Sequence, residues 1–279
     1  MANAIDLRKV ETGSFWASLR SAMGQDGLLT YRYLGRVAQN MHGVPVGSMK
    51  IRSDMRDWHG GIRAAVLAIA TAETGFSDFN AVPAPIEAGL SILDAGRDVR
   101  EVQLRAEVLK LGRTLGFSRT FVTDADQPEK VIAISRGVGI KLAEAPESGG
   151  EPFPLPDDMA DAGELPSLLT VFGGVLDGDV CCLPELSAGS SSTSGSLHLG
   201  PIHIALDAIA DANARQHRMR IADWNVMFLS AGTHGPFRAE LTRRMVQAGD
   251  GAVVLSLVDE GRDDRLVATA TAVLRSVDL

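Results

Sequence analysis

The stretch Asp57–Ala70, DWHGGIRAAVLAIA, decides how this chain is read. From residue 60 to residue 73 the positions are apolar nearly all round and dense in alanine, which predicts a helix over that span. A helix that is apolar on every face is a buried one, and alanine lets neighbouring backbones approach closely. A second stretch, SLHLGPIHIALDAIADANA, has the same character and predicts a second buried helix over residues 200–214. Both helices follow a histidine and a glycine-containing turn.

Working outward, the flanks of these helices match as well. LGRVAQNMHGVPVG precedes the first and FGGVLDGDV the second; LSILDAG is answered by VMFLSAG, and KVIAISRGVGIKL by RLVATATAVLRSV. The offsets stay between 136 and 139 residues: Gly35 to Gly173, His59 to His198, Gly96 to Gly232, Gly112 to Gly249. With RAEVLKLGRTLGFSRTFVTD answered by ELTRRMVQAGDGAVVLSLVDE, five segments in one order at near-constant offset indicate internal duplication. Between the copies lies GGEPFPLPDDMADAGELP, rich in proline, glycine and acids, which reads as a linker. The expected organisation is an N-terminal extension (1–29), a first repeat (30–146), a linker (147–168) and a second repeat (169–279).

Alternating, β-branched segments predict antiparallel strands at Gln103–Leu109, Leu115–Val122, Val131–Ile140, Arg220–Leu229, Phe237–Val246, Ala252–Asp259 and Leu266–Leu274. Each repeat is therefore expected to be an α+β unit, strands wrapped around one long buried helix. The chain has 279 residues, 45% hydrophobic and 22% charged, which excludes a disordered or fibrous chain. Its formal charge of −8 argues against nucleic acid as the main partner. The N-terminus has charges where a signal peptide needs an apolar run, and no apolar stretch is long enough for a membrane span, so the expectation is a cytoplasmic protein with no membrane partner. Cys181 and Cys182 are adjacent, which suits two small strand residues rather than a disulfide framework. The six histidines show no metal-ligand spacing, so no metal is expected. The serine-rich stretch 187–196 reads as a disordered loop, with a mobile lid as the other option, and holds no G-x-S-x-G.

A helix opened by His-Gly-Gly, several antiparallel strands, and VLKLGRTLGFSRTFVTD in the middle resemble the hotdog-fold acyl-CoA thioesterases of the phenylacetate-pathway and 4-hydroxybenzoyl-CoA type. The resemblance covers nearly the whole chain apart from residues 1–30 and the linker. It implies a tandem (double) hotdog, with two antiparallel sheets each wrapped around a long central helix, and a substrate of the acyl-CoA class. No separate cofactor is implied, because coenzyme A enters as part of the substrate. Homo-oligomers of double-hotdog units are compatible with this reading.

The family pattern H-G-G-x(6)-[D/E] is split between the repeats. The first keeps His59, Gly60 and Gly61 but has Ala68 at the carboxylate position. The second has Asp207 there, while Leu199 and Pro201 spoil the helix start. The resemblance implies one composite catalytic site: Gly60 and Gly61 supply N–H donors to a developing oxyanion, His59 orients the turn, and Asp207 acts as base or nucleophile. A carboxylate set among Ile204, Leu206 and Ile209 is costly to desolvate, which by itself marks Asp207. Asp211, one turn on, is a candidate to share the site, and Ser53 stands where relatives carry an amide. The basic turn Lys110–Thr114 matches the family's coenzyme A contact, so Lys110, Arg113 and Thr114 are the candidates for it, with Arg97 and Arg100 adding to the patch. Asp250 at the corresponding turn of the second repeat predicts one coenzyme A site. The competing readings are a non-catalytic acyl-CoA-binding or assembly module and an enoyl-CoA hydratase or dehydratase, the latter because Asp57 and His59 precede the helix.

Overall fold

The two alanine-rich stretches form the long central helices of the computed structural model, which describes residues 5–23, 27–34, 38–41, 44–75, 81–147, 165–247 and 249–277. Most of the proposed linker, residues 148–164, lies outside the described residues. In chain order the first half holds α1 (Phe15–Met23), α2 (Leu29–Leu34), β1 (Ala38–Met41), β2 (Val44–Lys50), α3 (Ala64–Gly75), β3 (Ala81–Ile92), β4 (Glu101–Leu111), β5 (Leu115–Asp124) and β6 (Val131–Glu144). The second holds α4 (Leu168–Val171), β7 (Val175–Asp177), β8 (Val180–Leu183), α5 (Leu199–Gln216), β9 (Met219–Phe228), β10 (Phe237–Val246), β11 (Asp250–Asp259) and β12 (Arg265–Ser276).

The strands make one antiparallel sheet of twelve, in the order β1-β2-β4-β5-β6-β3-β9-β12-β11-β10-β8-β7. This corrects the expectation of two sheets. Read inward from either edge the order is the same: β2-β4-β5-β6-β3 on one side answers β8-β10-β11-β12-β9 on the other, and α3 and α5 follow β2 and β8. The halves join where β3 meets β9, from Glu87 opposite Met227 to Ser91 opposite Asp223. Sequence patterning did not reveal β3, because Pro83 and Pro85 interrupt it and proline cannot donate to a ladder. The strand absorbs both with register shifts in its pairing to β6. Its second half then offers a clean edge to β9, which would otherwise stand open.

The helices lie against the sheet and against each other in one core that includes Leu67, Ile69, Leu206, Ile209 and Trp224, all almost wholly buried. They run antiparallel: Ala65 near the start of α3 meets Asp207 of α5, and Glu73 near the end of α3 meets His198 just before α5.

Two local expectations also change. α5 begins directly after His198, but α3 begins at Ala64, five residues after His59. The serine-rich segment, expected to be disordered, is described throughout, with Ser190, Ser191 and Ser194 buried and the hydroxyls of Ser192, Ser194 and Ser196 mutually bonded at 2.9–3.1 Å. Main-chain bonds from His198 to Ser190 and from Leu7 to Thr193 tie it down at both faces.

Candidate functional site

The turn before α3 is built around Asp57. Its Oδ1 accepts the backbone N–H of His59 at 3.0 Å and of Gly61 at 2.8 Å, and it lies 2.6 Å from Nδ1 of His59. The N–H of Gly60 donates to the carbonyl of Asp57 at 3.1 Å, in a turn that needs a positive φ of 89° at Gly60. The expectation of free donors at Gly60 and Gly61 is therefore corrected: Asp57 satisfies both. The same turn explains the late start of α3, because an aspartate that caps the next few N–H groups competes with helix formation. Arg56 stitches the turn to the loop after β3 through the carbonyls of Gly60, Gly96, Arg97 and Val99, which brings Arg97 to this end of the molecule. A carboxylate can only accept, so Nδ1 of His59 carries the proton shared with Asp57. Nε2 of His59 is buried without a hydrogen-bond partner.

Asp207 of the second half lies opposite the first turn of α3, 1% exposed. Its Oδ1 accepts from Ala65 N–H at 3.3 Å, and its Oδ2 lies 2.8 Å from Nε and 2.6 Å from Nη2 of Arg63. Asp211, four residues on and so on the same helical face, reaches Nη1 of Arg63 at 3.4 Å. The three side chains form a charged centre between the halves, closed by Trp58, whose Nε1–H donates to the carbonyl of Met219 at 2.9 Å. Burial works against the guanidinium charge of Arg63, but Asp207 and Asp211 outweigh it and hold its pKa above the usual value. Asp211 is pushed up to about 6, first by burial, with Arg63 opposing and the negative charge of Asp207 adding.

The basic turn Lys110–Thr114 lies elsewhere. It joins β4 to β5, and the N–H of Lys141 donates to the carbonyl of Thr114 at 2.8 Å. Lys141 pairs with Pro83. The neighbouring strand β5 places Ser118 against Gly75, the last residue of α3. Lys110, Arg113 and Thr114 are thus at the far end of α3, about 15 Å of helix from the Arg63 centre, and the structure does not bring them to Asp207. Of the expected cations, Arg97 stands beside the Asp57 turn, and Arg100 follows Val99 in the same loop.

At that far end the helix start of α5 faces Glu73. Nδ1 of His198 accepts the N–H of Gly200 at 3.1 Å, and Thr30 Oγ1 lies 3.2 Å from the same nitrogen. With Nδ1 accepting, Nε2 carries the proton and donates to Glu73 Oε1 at 3.2 Å. The hydroxyl of Tyr31 donates to Glu73 Oε2 at 2.7 Å. A signal for Glu73 exists in the sequence, since it is the one acid in the apolar α3. Nothing in the sequence marks Tyr31, and Arg63 becomes notable only once the antiparallel packing of α3 on α5 is known.

Cys181 is buried in β8 and Cys182 is exposed, both as free thiols. Burial, with a smaller contribution from Cys182, pushes the Cys181 thiol up to about 12, which makes it a poor nucleophile. Among the described residues no group of three or more His, Cys, Asp or Glu could hold a metal ion, and no helix is long and apolar enough to cross a membrane.

No family model and no curated protein matches the chain. Solved structures do. A TesB protein from Mycobacterium avium subsp. paratuberculosis is similar at TM-score 0.60 and 11% identity, over 94% of this chain and 99% of that one. A protein of unknown function with the hotdog fold from Alicyclobacillus acidocaldarius is similar at 0.55 and 10%, over 89% and 98%. Acyl-CoA thioesterase II TesB2 of Mycobacterium marinum is similar at 0.52 and 13%, over 87% and 96%. The class is thus defined by the fold: the chain has the hotdog fold, and its structural neighbours include proteins named as thioesterases.

Proposed function

We propose that this protein is a double-hotdog acyl-CoA thioesterase, arisen by duplication, that cleaves a thioester between its two repeats. One observation carries the reading: carboxylates from the helix of one repeat meet the first turn of the other repeat's helix around a shared arginine, with Asp207 2.6 Å from Arg63 and Asp211 3.4 Å from it. Two carboxylates in unlike environments divide the work. Asp207 is fixed by Arg63 and Ala65 and holds the guanidinium in place. Asp211, with its pKa near 6, takes a proton from water as the water oxygen bonds to the acyl carbon. The C–S bond breaks, its electron pair goes to sulfur, and the thiolate is protonated. Arg63 takes the part first expected of Gly60 and Gly61, facing the carbonyl oxygen as charge develops on it. Arg97 and the turn 57–61 stand at the same end of the helix pair.

Thiol release from an acyl-CoA panel tests this. Asp211→Asn is expected to lower kcat by about 100-fold. The wild-type rate should climb with pH and level off above about 6, because the base must be ionised, and the variant should lose that dependence. Unchanged turnover in Asp211→Asn would overturn the assignment. Asp207→Asn is a poorer first test, since Arg63 would keep only the more distant Asp211 to balance its largely buried charge, which costs stability as well as turnover.

The half-buried Asp57–His59 pair, 2.6 Å apart with Nε2 of His59 unpartnered, supports a second reading, hydration of an enoyl-CoA. That reading predicts loss of enoyl absorbance without thiol release, and its abolition in His59→Gln.

A further inference from the structure

A cavity of about 100 Å³ lies at the start of α5, at the opposite end of the helix pair from Arg63. Glu73, held by His198 and Tyr31, stands in its wall. Ser192, Ser194 and Ser196 form a hydroxyl-bearing side, and Leu28, Leu197 and Leu199 an apolar one. Pro83 and Pro85 complete it, and Pro83 pairs with Lys141, the residue bonded to Thr114 of the basic turn. The cavity therefore lies next to β6, whose Lys141 borders the β4–β5 turn with its Lys110 and Arg113, whereas the Arg63 centre does not.

These features belong together chemically. A carboxylate gripped by two donors is fixed in orientation but keeps lone pairs to accept a further proton. The side chain of Glu73 is 16% exposed, so it is reachable without being solvated. The volume admits about three or four non-hydrogen atoms, judged by the share of space a water molecule takes. Lys110, Arg113 and Lys141 do not line the cavity, which suits a ligand with a small neutral head and a long anionic tail.

The geometry points to a second acyl-thioester site here, selective for acyl groups of about three or four carbons, with the coenzyme A phosphates against Lys110, Arg113 and Lys141 and with Glu73 as the base. It rests on the thioesterase reading for its reaction, though not for its ligand. Glu73 accepts a proton from water, the water oxygen bonds to the acyl carbonyl carbon, the C–S bond breaks with its electron pair going to sulfur, and the proton returns to the thiolate. His198 and Tyr31 are positioning residues that act through Glu73.

Two measurements on the full chain test it together. The first is calorimetric binding of S-propyl-CoA, a thioether that cannot be hydrolysed. Ala72→Leu, which fills the cavity beside Glu73, and Arg113→Glu are each expected to weaken binding tenfold or more, while Glu73→Gln stays within about threefold. The second is hydrolysis of propionyl- and butyryl-CoA, in which Glu73→Gln should lose 100-fold or more in kcat with little change in KM. Variants are compared only where their melting curves match the wild type, and Arg113→Glu, at a surface turn, covers a failure of Ala72→Leu to fold. Binding indifferent to both Ala72→Leu and Arg113→Glu overturns the site. Full short-chain turnover in Glu73→Gln overturns the base. Cavity-dependent binding with no turnover of any thioester by the wild type would uphold the ligand site while overturning both the base role and the thioesterase reading.

Discussion

Asp211 and His203 show how single buried groups set opposite pH slopes. Asp211 titrates near pH 6 in the folded chain against 3.8 for an ordinary aspartate. Between those values the folded state keeps a proton that the unfolded state has released, so the contribution of this residue to stability is lost as pH rises from about 4 to 6. Asp211→Asn removes the slope. The variant is expected to melt higher than the wild type at pH 7, by up to about 3 kcal/mol in stability, and to match it near pH 4; equal melting at both pH values would contradict the raised pKa. His203 works the other way. Wholly buried, with Nδ1 accepting from Trp224 at 3.0 Å, it is pulled down to about 3 by burial first and His198 second. Its stability is lost as pH falls from about 6.5 towards 3, and the comparison of Asp211→Asn with wild type cancels this contribution. The spacing of Asp207 from His198 was enough to mark a carboxylate on the buried face of α5. Its partner Arg63 was not legible, because an arginine directly before an apolar run looks like any solvated helix-start residue.

At the scale of elements, Asp259 at the end of β11 does for a loop what Asp57 does for a turn. It is fully buried, and its carboxylate accepts the N–H groups of Thr233, His234 and Gly235 at 2.7, 3.1 and 2.8 Å. Asp259→Ala strands three donors, one of them buried with Gly235. The expected cost is about 2–4 kcal/mol, seen as a lower urea midpoint together with faster amide exchange at Thr233 and Gly235. The long helices and most strands could be read from periodicity alone. β10 matched to the residue, and the other expected strands to within a few residues at their ends. β3 could not, because strand propensity treats Pro83 and Pro85 as breaks, and only the pairing partners on either side supply the reason to stay extended. The serine-rich loop was misread for a related reason: composition says nothing about hydroxyls that satisfy one another.

For the whole molecule, the junction of β3 with β9 is the feature that local sequence cannot encode, since both strands would look the same whether paired with each other or with another chain. Covalent connection turns that pairing into an intramolecular one, whose strength does not depend on protein concentration. A specific protease site placed within residues 148–164 and then cut is expected to leave the halves associated at micromolar concentration. Their melting temperature should then fall on dilution, while that of the uncut chain does not. A melting temperature that ignores dilution after cutting would mean that each half is stable without the other.

Arg63 has Ile202 as its counterpart at the other end of the helix pair. In an assembly of two identical chains every substitution is made twice, so an arginine that suits one interface must be tolerated at both. Here each interface is written once. One end of the helix pair could become a charged knot and the other a hollow, and neither had to compromise with its mirror image.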